Sequence, residues 1–262
     1  KHKIIGFVPT MGALHQGHLS LIEASQQKTD VTICSIFVNP IQFDRENDLK
    51  NYPLQLENDI EIAKEEKVDV VFAPCAGDIY PKEFCTFVVQ EKLTNTLCGK
   101  KRPGHFRGVA TIVTKLFNIV KPHRAYFGQK DYQQSVIIKR LVKDLHMDID
   151  IKVLPTVRDK EGLALSSRHK HLNSEERLHA RCIYDSLSKA IFMVESNEID
   201  VKKIVKEMEN IINKVSHAKI DYVSIVDPET LEDVSRVSGK AVAAVAVWIG
   251  NTRLIDNIVL ET

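Results

Sequence analysis

The chain has 262 residues, 44% of them hydrophobic and 27% charged, with a net charge of +1. That length suits one large or two moderate globular domains, and the near-neutral balance gives no reason to expect bulk nucleic-acid binding, which usually needs a basic surplus or a basic face. Its longest apolar run, Ala241–Ile249, is too short to span a membrane and suits a buried strand. Cys34, Cys75, Cys85, Cys98 and Cys182 are widely spaced without a Cys-x-x-Cys pair, as expected of free thiols in a reducing cytoplasm and not of a disulfide frame or a zinc site.

The first predicted element is the apolar run Ile4–Val8, a buried strand that Pro9 and Gly12 break. From about Gly17 onward, Leu19, Leu21, Ile22 and Ala24 mark the buried side of a helix. His15 and His18 lie three apart at this turn. A helix N-terminus has unpaired backbone N–H groups and a partial positive charge, so it attracts phosphate. Two imidazoles there can each donate to phosphoryl oxygens, and Gly17 leaves room for a ligand to approach the backbone. Thr10-x-Gly12-x-x-His15-x-Gly17-His18 after a strand resembles the nucleotide-binding signature of the class I nucleotidyltransferases and aminoacyl-tRNA synthetases.

Val31–Val38 is a second strand, closed by Asn39-Pro40. A helix opens at Pro53 and runs through Glu66 with Leu56, Ile60 and Ala63 on one face. Val68–Ala73 is a third strand and Thr86–Gln90 an extra edge strand. A helix over Val109–Val120, a brief strand Ala125–Phe127, a helix Asp131–Leu145 and a strand Ile149–Leu154 follow. The alternation predicts an α/β, Rossmann-like parallel sheet with crossover helices over residues 1–156. Ligands of such sheets sit beyond the carboxyl ends of the strands, so the loops 9–18, 39–43 and 127–134 should share one cleft. After Pro155 the pattern changes: Asn173 and Glu176 form a capping box for a helix to about Val194, and Asp200 caps another to about Val215. The runs Lys219–Val226, Ala241–Ile249 and Arg253–Leu260 are strand-like, with a tight turn at Gly250-Asn251. Residues 157–262 therefore read as a smaller α+β C-terminal domain.

Several polar stretches carry chemistry. In Phe127-Gly-Gln-Lys-Asp-Tyr-Gln-Gln134, a lysine in a first helical turn opposes the macrodipole and suggests a neighbouring anion; a solvated lysine is the plain alternative. Asp131 suits a helix cap or a ribose hydroxyl, and the Gln134 amide a small polar substrate. Ser166-Ser167-Arg168 has the composition of a phosphate clamp, though a polar loop has it too. The amides of Asn39 and Gln42 either read a substrate or satisfy loop backbone, and Arg102–Gly108 reads by default as a solvated basic loop.

Together, Val8–His18, Phe37–Phe43, Arg102–Gly108, Phe127–Gln134 and Gly162–Arg168 follow the order and spacing of the pantothenate synthetase (pantoate–β-alanine ligase) family, and the ending Arg253-Leu-Ile-Asp-Asn257 also looks like it. The resemblance spans essentially the whole chain. It departs at Gln129, where the family usually has glutamate, and the segment normally preceding the first strand is absent from this sequence. The resemblance implies condensation of pantoate with β-alanine through pantoyl adenylate, with ATP as substrate and Mg²⁺ as its ion. It implies ATP binding by Met11, Gly12, Ala13, Leu14, His15, Gln16, Gly17, His18, Gly128, Gln129, Lys130, Asp131, Val157, Leu165, Ser166, Ser167 and Arg168. His15, His18, Lys130 and Arg168 would carry the catalysis, with no metal ligand assigned. Gln42 and Gln134 would hold pantoate, Gln42 would also lie near β-alanine, and Asn39, Tyr52 and His105 are further candidates for that pocket. It implies a homodimer and, since Ser166–Arg168 lie past the domain boundary, a C-terminal domain that closes as a lid over ATP. Another adenylyltransferase of the same signature and a non-catalytic nucleotide-binding protein are the alternatives.

Overall fold

In the computed structural model, which describes residues 2–262, the short apolar runs of the N-terminal half pair side by side in a parallel sheet. Its strands are β1 (Ile5–Thr10), β2 (Val31–Ile36), β3 (Val70–Phe72), β4 (Arg124–Gly128) and β5 (Asp150–Leu154), in the order β3-β2-β1-β4-β5. The helices between them are α1 (Gln16–Gln26), α2 (Glu46–Lys50), α3 (Leu56–Glu65), α4 (Ala76–Ile79), α5 (Leu97–Lys101), α6 (His105–Val120) and α7 (Tyr132–Asp144). The order reverses between β1 and β4, which is the switch point where doubly wound sheets bind ligands.

Pro9 does not end β1, contrary to the sequence-based expectation. The strand pairs with β2 as far as Thr10–Ile36, whereas its pairing with β4 stops at Phe7–Ala125. Thr10 accepts from Phe37 N on the β2 side, so the neighbouring Pro9 faces the flank where no ladder bond is needed and its missing N–H costs little.

Three other expectations fail for identifiable reasons. The Thr86–Gln90 stretch forms no strand; Val88 N donates to the Thr111 hydroxyl and the Gln90 side chain donates to Ile137 O. On α3 the inward residues are Asp59 and Ala63, while Leu56 and Ile60 are exposed. Helix α6 starts at His105, so half of the expected basic loop is its first turn, capped by left-handed Gly104 at φ 81°. Phe7, Phe117 and Phe127 meet edge to face in the core beside this helix, an arrangement aromatic quadrupoles favour.

The C-terminal half builds an antiparallel sheet, β6 (Ala218–Val226), β7 (Lys240–Ile249) and β8 (Thr252–Glu261), in that order. Helix α8 (Ser174–Glu195) begins at the Asn173–Glu176 capping box, and Asp200 caps α9 (Val201–Asn213). Ile183, Leu187, Ile204, Met208 and Ile212 from these helices join Ala243, Val245 and Val247 of β7 in one core. Gly250 at φ 55° makes the β7–β8 turn, a conformation that costs glycine least.

Contacts divide the chain into two compact units. The first comprises residues up to Thr94, Arg102–Gln129 and Gln134–Val157; the second comprises Asn95–Lys101, Lys130–Gln133 and Arg158–Thr262. No helix among the described residues is long and apolar enough to cross a membrane.

Candidate active site

Within the first unit, the carboxyl ends of the parallel strands β1, β2 and β4 put Met11–His18, Asn39–Gln42 and Gly128 at one edge of the sheet. The turn after β1 is held by a side chain that no sequence motif marks. Asp59, 1% exposed, accepts Ala13 N and Leu14 N at 2.8 Å each, one on each carboxylate oxygen, and Gln55 Nε2 at 3.2 Å. That grip secures two successive left-handed residues, Gly12 at φ 80° and Ala13 at φ 52°; a Cβ on Gly12 would lie 2.7 Å from Asp59 Oδ2.

His15 caps α1, and His18 completes a reciprocal box. Gly17 N donates to His15 Nδ1 at 3.1 Å and His15 N donates to His18 Nδ1 at 3.3 Å, with the two rings 4.1 Å apart. Two expectations are thereby corrected. Not every amide at the helix start is unpaired: Gly17 N has an acceptor within the protein, as do the amides of Ala13, Leu14 and His15 in the turn before it. Gly17 makes room for the His15 ring, since a Cβ there would sit 2.9 Å from His15 Cε1. A ring whose Nδ1 accepts an N–H carries its neutral-state proton on Nε2. The cap thus places the neutral-state proton of both imidazoles on Nε2.

Beyond β2 lies a connected set of neutral hydrogen bonds. The buried Asn39 amide donates from Nδ2 to Gln42 Oε1 at 2.8 Å and to Gly108 O at 3.2 Å, while its Oδ1 accepts from the Tyr80 hydroxyl at 2.7 Å. Gln42 Nε2 lies 3.0 Å from the Met11 sulfur. Helix α6 approaches so closely that a Cβ on Gly108 would lie 2.5 Å from Ile41 O. His105 holds the same turn: its Nδ1–H donates to Gln42 O at 2.7 Å, which leaves Nε2 to accept from Arg102 at 3.3 Å. Arg102 in turn donates to Asp44 at 2.7 Å. Burial resists the charge on Asp44, but the Arg102 guanidinium holds that carboxyl below the usual carboxylate range. Tyr52 stacks edge-on to Phe43 at 5.7 Å, and Gln134 is half-buried in the first turn of α7. Gly128 faces open space, so a molecule can approach its backbone.

The second unit holds Lys130, Asp131 and Leu165–Arg168. Gln129–Asp131 is a short 3₁₀ turn, not the first turn of the following helix. Asn257 Nδ2 of β8 donates to Lys130 O at 2.9 Å. Next to it in β8, Asp256 (3% exposed) receives both Arg158 nitrogens, Nη1 at 2.5 Å and Nη2 at 3.0 Å. Burial pushes the Asp256 carboxyl up, with Arg158 opposing that shift. Arg158 also donates to Gly162 O, lies over the Tyr184 ring and bridges to Ala164, which shapes the strand of chain leading to Leu165. Ser166 caps the 3₁₀ turn Ser167–His171, its hydroxyl accepting Arg168 N at 3.3 Å. Leu165, Ser167 and Arg168 beside it are half-buried, as is Val157 at the end of the first unit.

Asp59, Tyr80, Arg158 and Asp256 were not singled out by the sequence. Only the Arg253–Asn257 ending gave a signal, as a stretch resembling the family with no role attached. Among the described residues no group of three or more His, Cys, Asp or Glu side chains could hold a metal ion.

The profile of the pantoate-beta-alanine ligase family matches residues 1–259. A pantothenate synthetase of Caldicellulosiruptor saccharolyticus is 52% identical over 259 residues, covering 99% of this chain and 92% of the relative. One from Thermotoga petrophila is 51% identical over 260 residues, covering 99% and 93%. The crystal structure of pantothenate synthetase from Thermus thermophilus superposes with a TM-score of 0.94 at 42% identity, covering 97% of this chain and 92% of that one. That of pantoate-beta-alanine ligase from Francisella tularensis, complexed with beta-gamma ATP and beta-alanine, gives 0.82 at 41% identity, covering 98% and 89%. The chain belongs to the pantoate–β-alanine ligase family.

Proposed function

We propose that the chain joins (R)-pantoate to β-alanine in two steps, and that the residues named above divide the work as their chemistry dictates. The enzyme is a ligase that consumes ATP. In the first step the pantoate carboxylate attacks the α-phosphate, forming a carboxyl–phosphate bond and releasing pyrophosphate. A carboxylate is already ionised at pH 7, so this attack needs no general base. It does need relief from repulsion between anions. Lys130 and Arg168 supply positive charge, while the Nε2–H groups of His15 and His18 donate to phosphoryl oxygens as charge moves to the leaving pyrophosphate. The two residue sets serve one reaction in this reading, with residues 157–262 as the lid that shields the acyl adenylate from water. Met11–Gly17, Gly128–Asp131, Val157 and Leu165–Ser167 complete ATP binding; since the amides of Ala13 and Leu14 are committed to Asp59, those two shape the turn.

Mg²⁺ enters as part of the nucleotide substrate. It characteristically takes phosphate oxygens and waters with few protein ligands. Gln42 and Gln134 hold pantoate with neutral amides, which bind hydroxyls and carboxylate without competing as nucleophiles; Tyr52 borders that pocket, and Asn39 and His105 act on Gln42. In the second step β-alanine arrives as an ammonium with a pKa of about 10, by analogy with lysine. It gives its proton to the departing adenylate phosphate, attacks the acyl carbon and displaces AMP. We place this chemistry in a homodimer, as the family resemblance implies, and in the cytoplasm, where five free thiols are at home.

The reciprocal histidine cap carries this reading, because it sets both imidazoles as Nε2–H donors at the start of α1. ATP–pyrophosphate exchange with magnesium, assayed with and without pantoate and without β-alanine, tests it. Pantoate-dependent exchange is the expected result. Exchange driven by a different acid would move the substrate to that of another adenylyltransferase. ATP binding without exchange for any acid would leave a nucleotide sensor.

A further inference from the structure

We propose that Tyr80 is a positioning residue for acid-substrate recognition, acting through Asn39 to fix which face of the Gln42 amide meets the substrate. The proposal rests on the reading of Gln42 as a pantoate-binding residue and extends it to a residue outside the signature motifs.

Amide side chains are ambiguous recognition elements, because a half-turn exchanges donor for acceptor. Here the polarity is locked from both ends of Asn39. Gly108 O is a carbonyl and can only accept, so it draws Nδ2 to its side. Tyr80 delivers its hydroxyl proton to Oδ1 at 2.7 Å, and the burial that pushes this phenol's pKa up keeps it a donor at every physiological pH. Nδ2 is then the group that meets Gln42, whose Oε1 must accept it at 2.8 Å. With Oε1 engaged, Gln42 presents its NH₂. That group rests 3.0 Å from the Met11 thioether sulfur, a weak acceptor that a carboxylate or hydroxyl oxygen readily replaces. The chain of bonds therefore selects an acceptor oxygen on the substrate.

Tyr80 is suited to this post. It follows α4, and its ring packs tilted against Phe37 at 6.2 Å and edge-on to Phe84 at 4.9 Å, with Lys115 over its face at 5.6 Å. These contacts hold the ring without using the hydroxyl. Tyr80→Phe keeps them and removes the single proton that satisfies Asn39 Oδ1. Asn39 is 1% exposed, so its carbonyl oxygen would lose a buried bond and its side chain would turn to recover one, releasing Gln42.

The experiment is a double-mutant cycle in the pantoate-dependent exchange assay, using Tyr80→Phe, Gln42→Ala and the double variant, with thermal unfolding of each. The expected result is a rise of about tenfold in pantoate KM for Tyr80→Phe, with ATP KM unchanged, and no further rise when the change is made on Gln42→Ala. Additive effects in the double variant would overturn the proposal, as would equal rises in both KM values together with a lowered Tm. A rise for Gln42→Ala but none for Tyr80→Phe would overturn the relay and leave Gln42 as a pantoate residue. No pantoate effect from Gln42→Ala would overturn the underlying reading and the relay with it.

Discussion

The turn after β1 and the chain around Arg158 both rest on a buried aspartate, yet the two aspartates are held in different ways. Asp59 takes backbone amides of Ala13 and Leu14, and Asp256 takes the guanidinium of Arg158. The first arrangement commits backbone donors to fixing the shape of a loop, and in the proposed reading recognition there falls to two imidazoles and two side-chain amides. The second pairs a carboxylate with a guanidinium, and in the proposed reading Lys130 and Arg168 bring positive charge to the nucleotide. Neutral, oriented donors discriminate by geometry, whereas mobile cations act mainly through charge and are weakened by salt. The first unit should therefore decide which acid is accepted, and the second how strongly the nucleotide's charge is balanced.

The sharpest way to break that division is to delete one member from each side. His18→Ala and Lys130→Ala should each lower the exchange rate by about 10²–10³-fold or more with the circular-dichroism spectrum unchanged. The Lys130 variant should also lose much of the salt dependence of ATP binding, and the His18 variant should keep it. Near-normal turnover in either one would remove that residue from the mechanism.

Asp59→Asn attacks the geometric side without touching a ligand. One of two accepting oxygens becomes an NH₂ facing a backbone N–H, at a cost of about 1–3 kcal/mol. At about 2–4 °C of Tm per kcal/mol for a chain of this size, unfolding should move by several degrees. Activity should fall with it, because Ala13 would relax from its left-handed conformation and carry the histidine cap along. A variant with wild-type Tm and exchange rate would show that the carboxylate does not hold the turn.

What the sequence made legible, and what it hid, follows from how local each device is. The strand-to-helix alternation, the capping box at Asn173 and Glu176, and the histidine pair are short-range patterns and were read directly. Asp59 was hidden because its partners lie 45 and 46 residues away and because Leu56 and Ile60 offered a more conventional apolar face. Thr86–Gln90 has strand composition, but a strand exists only with a partner, and its polar groups bond instead to side chain and helix. The failure over Gly17 is of another kind. Glycine between two histidines reads as space for a ligand, and only coordinates reveal that the first histidine fills it.

On the charged side, Asn257→Ala removes the amide that holds Lys130 O at 2.9 Å. A single neutral bond of this sort contributes about 0.5–1.5 kcal/mol, so ATP KM should rise by about two- to tenfold. Pantoate KM should not change. A reversed pattern would mean that the 3₁₀ turn at Lys130 serves the acid and not the nucleotide.

The smallest effect should come from Asp44, and its pH dependence has a definite sign. Burial acts to raise this carboxyl, but the Arg102 guanidinium lowers it further, so the folded pKa lies below the ordinary 3.8. A depressed folded pKa stabilises the protein above the unfolded value and loses that contribution as pH falls through the folded one. For a pair near the surface the contribution is up to about 1 kcal/mol. Asp44→Asn should thus unfold slightly below the wild type at neutral pH, and the two Tm curves should converge on acidification beneath the carboxylate range. Because Arg102 also reaches His105, whose Nδ1–H holds Gln42 O, the same variant should raise pantoate KM about twofold at neutral pH, as expected for loosening one weak support. A gap in Tm that persists or widens in acid would mean that Asp44 works through packing, and that the charge on Arg102 is not what steadies the neutral side of the site.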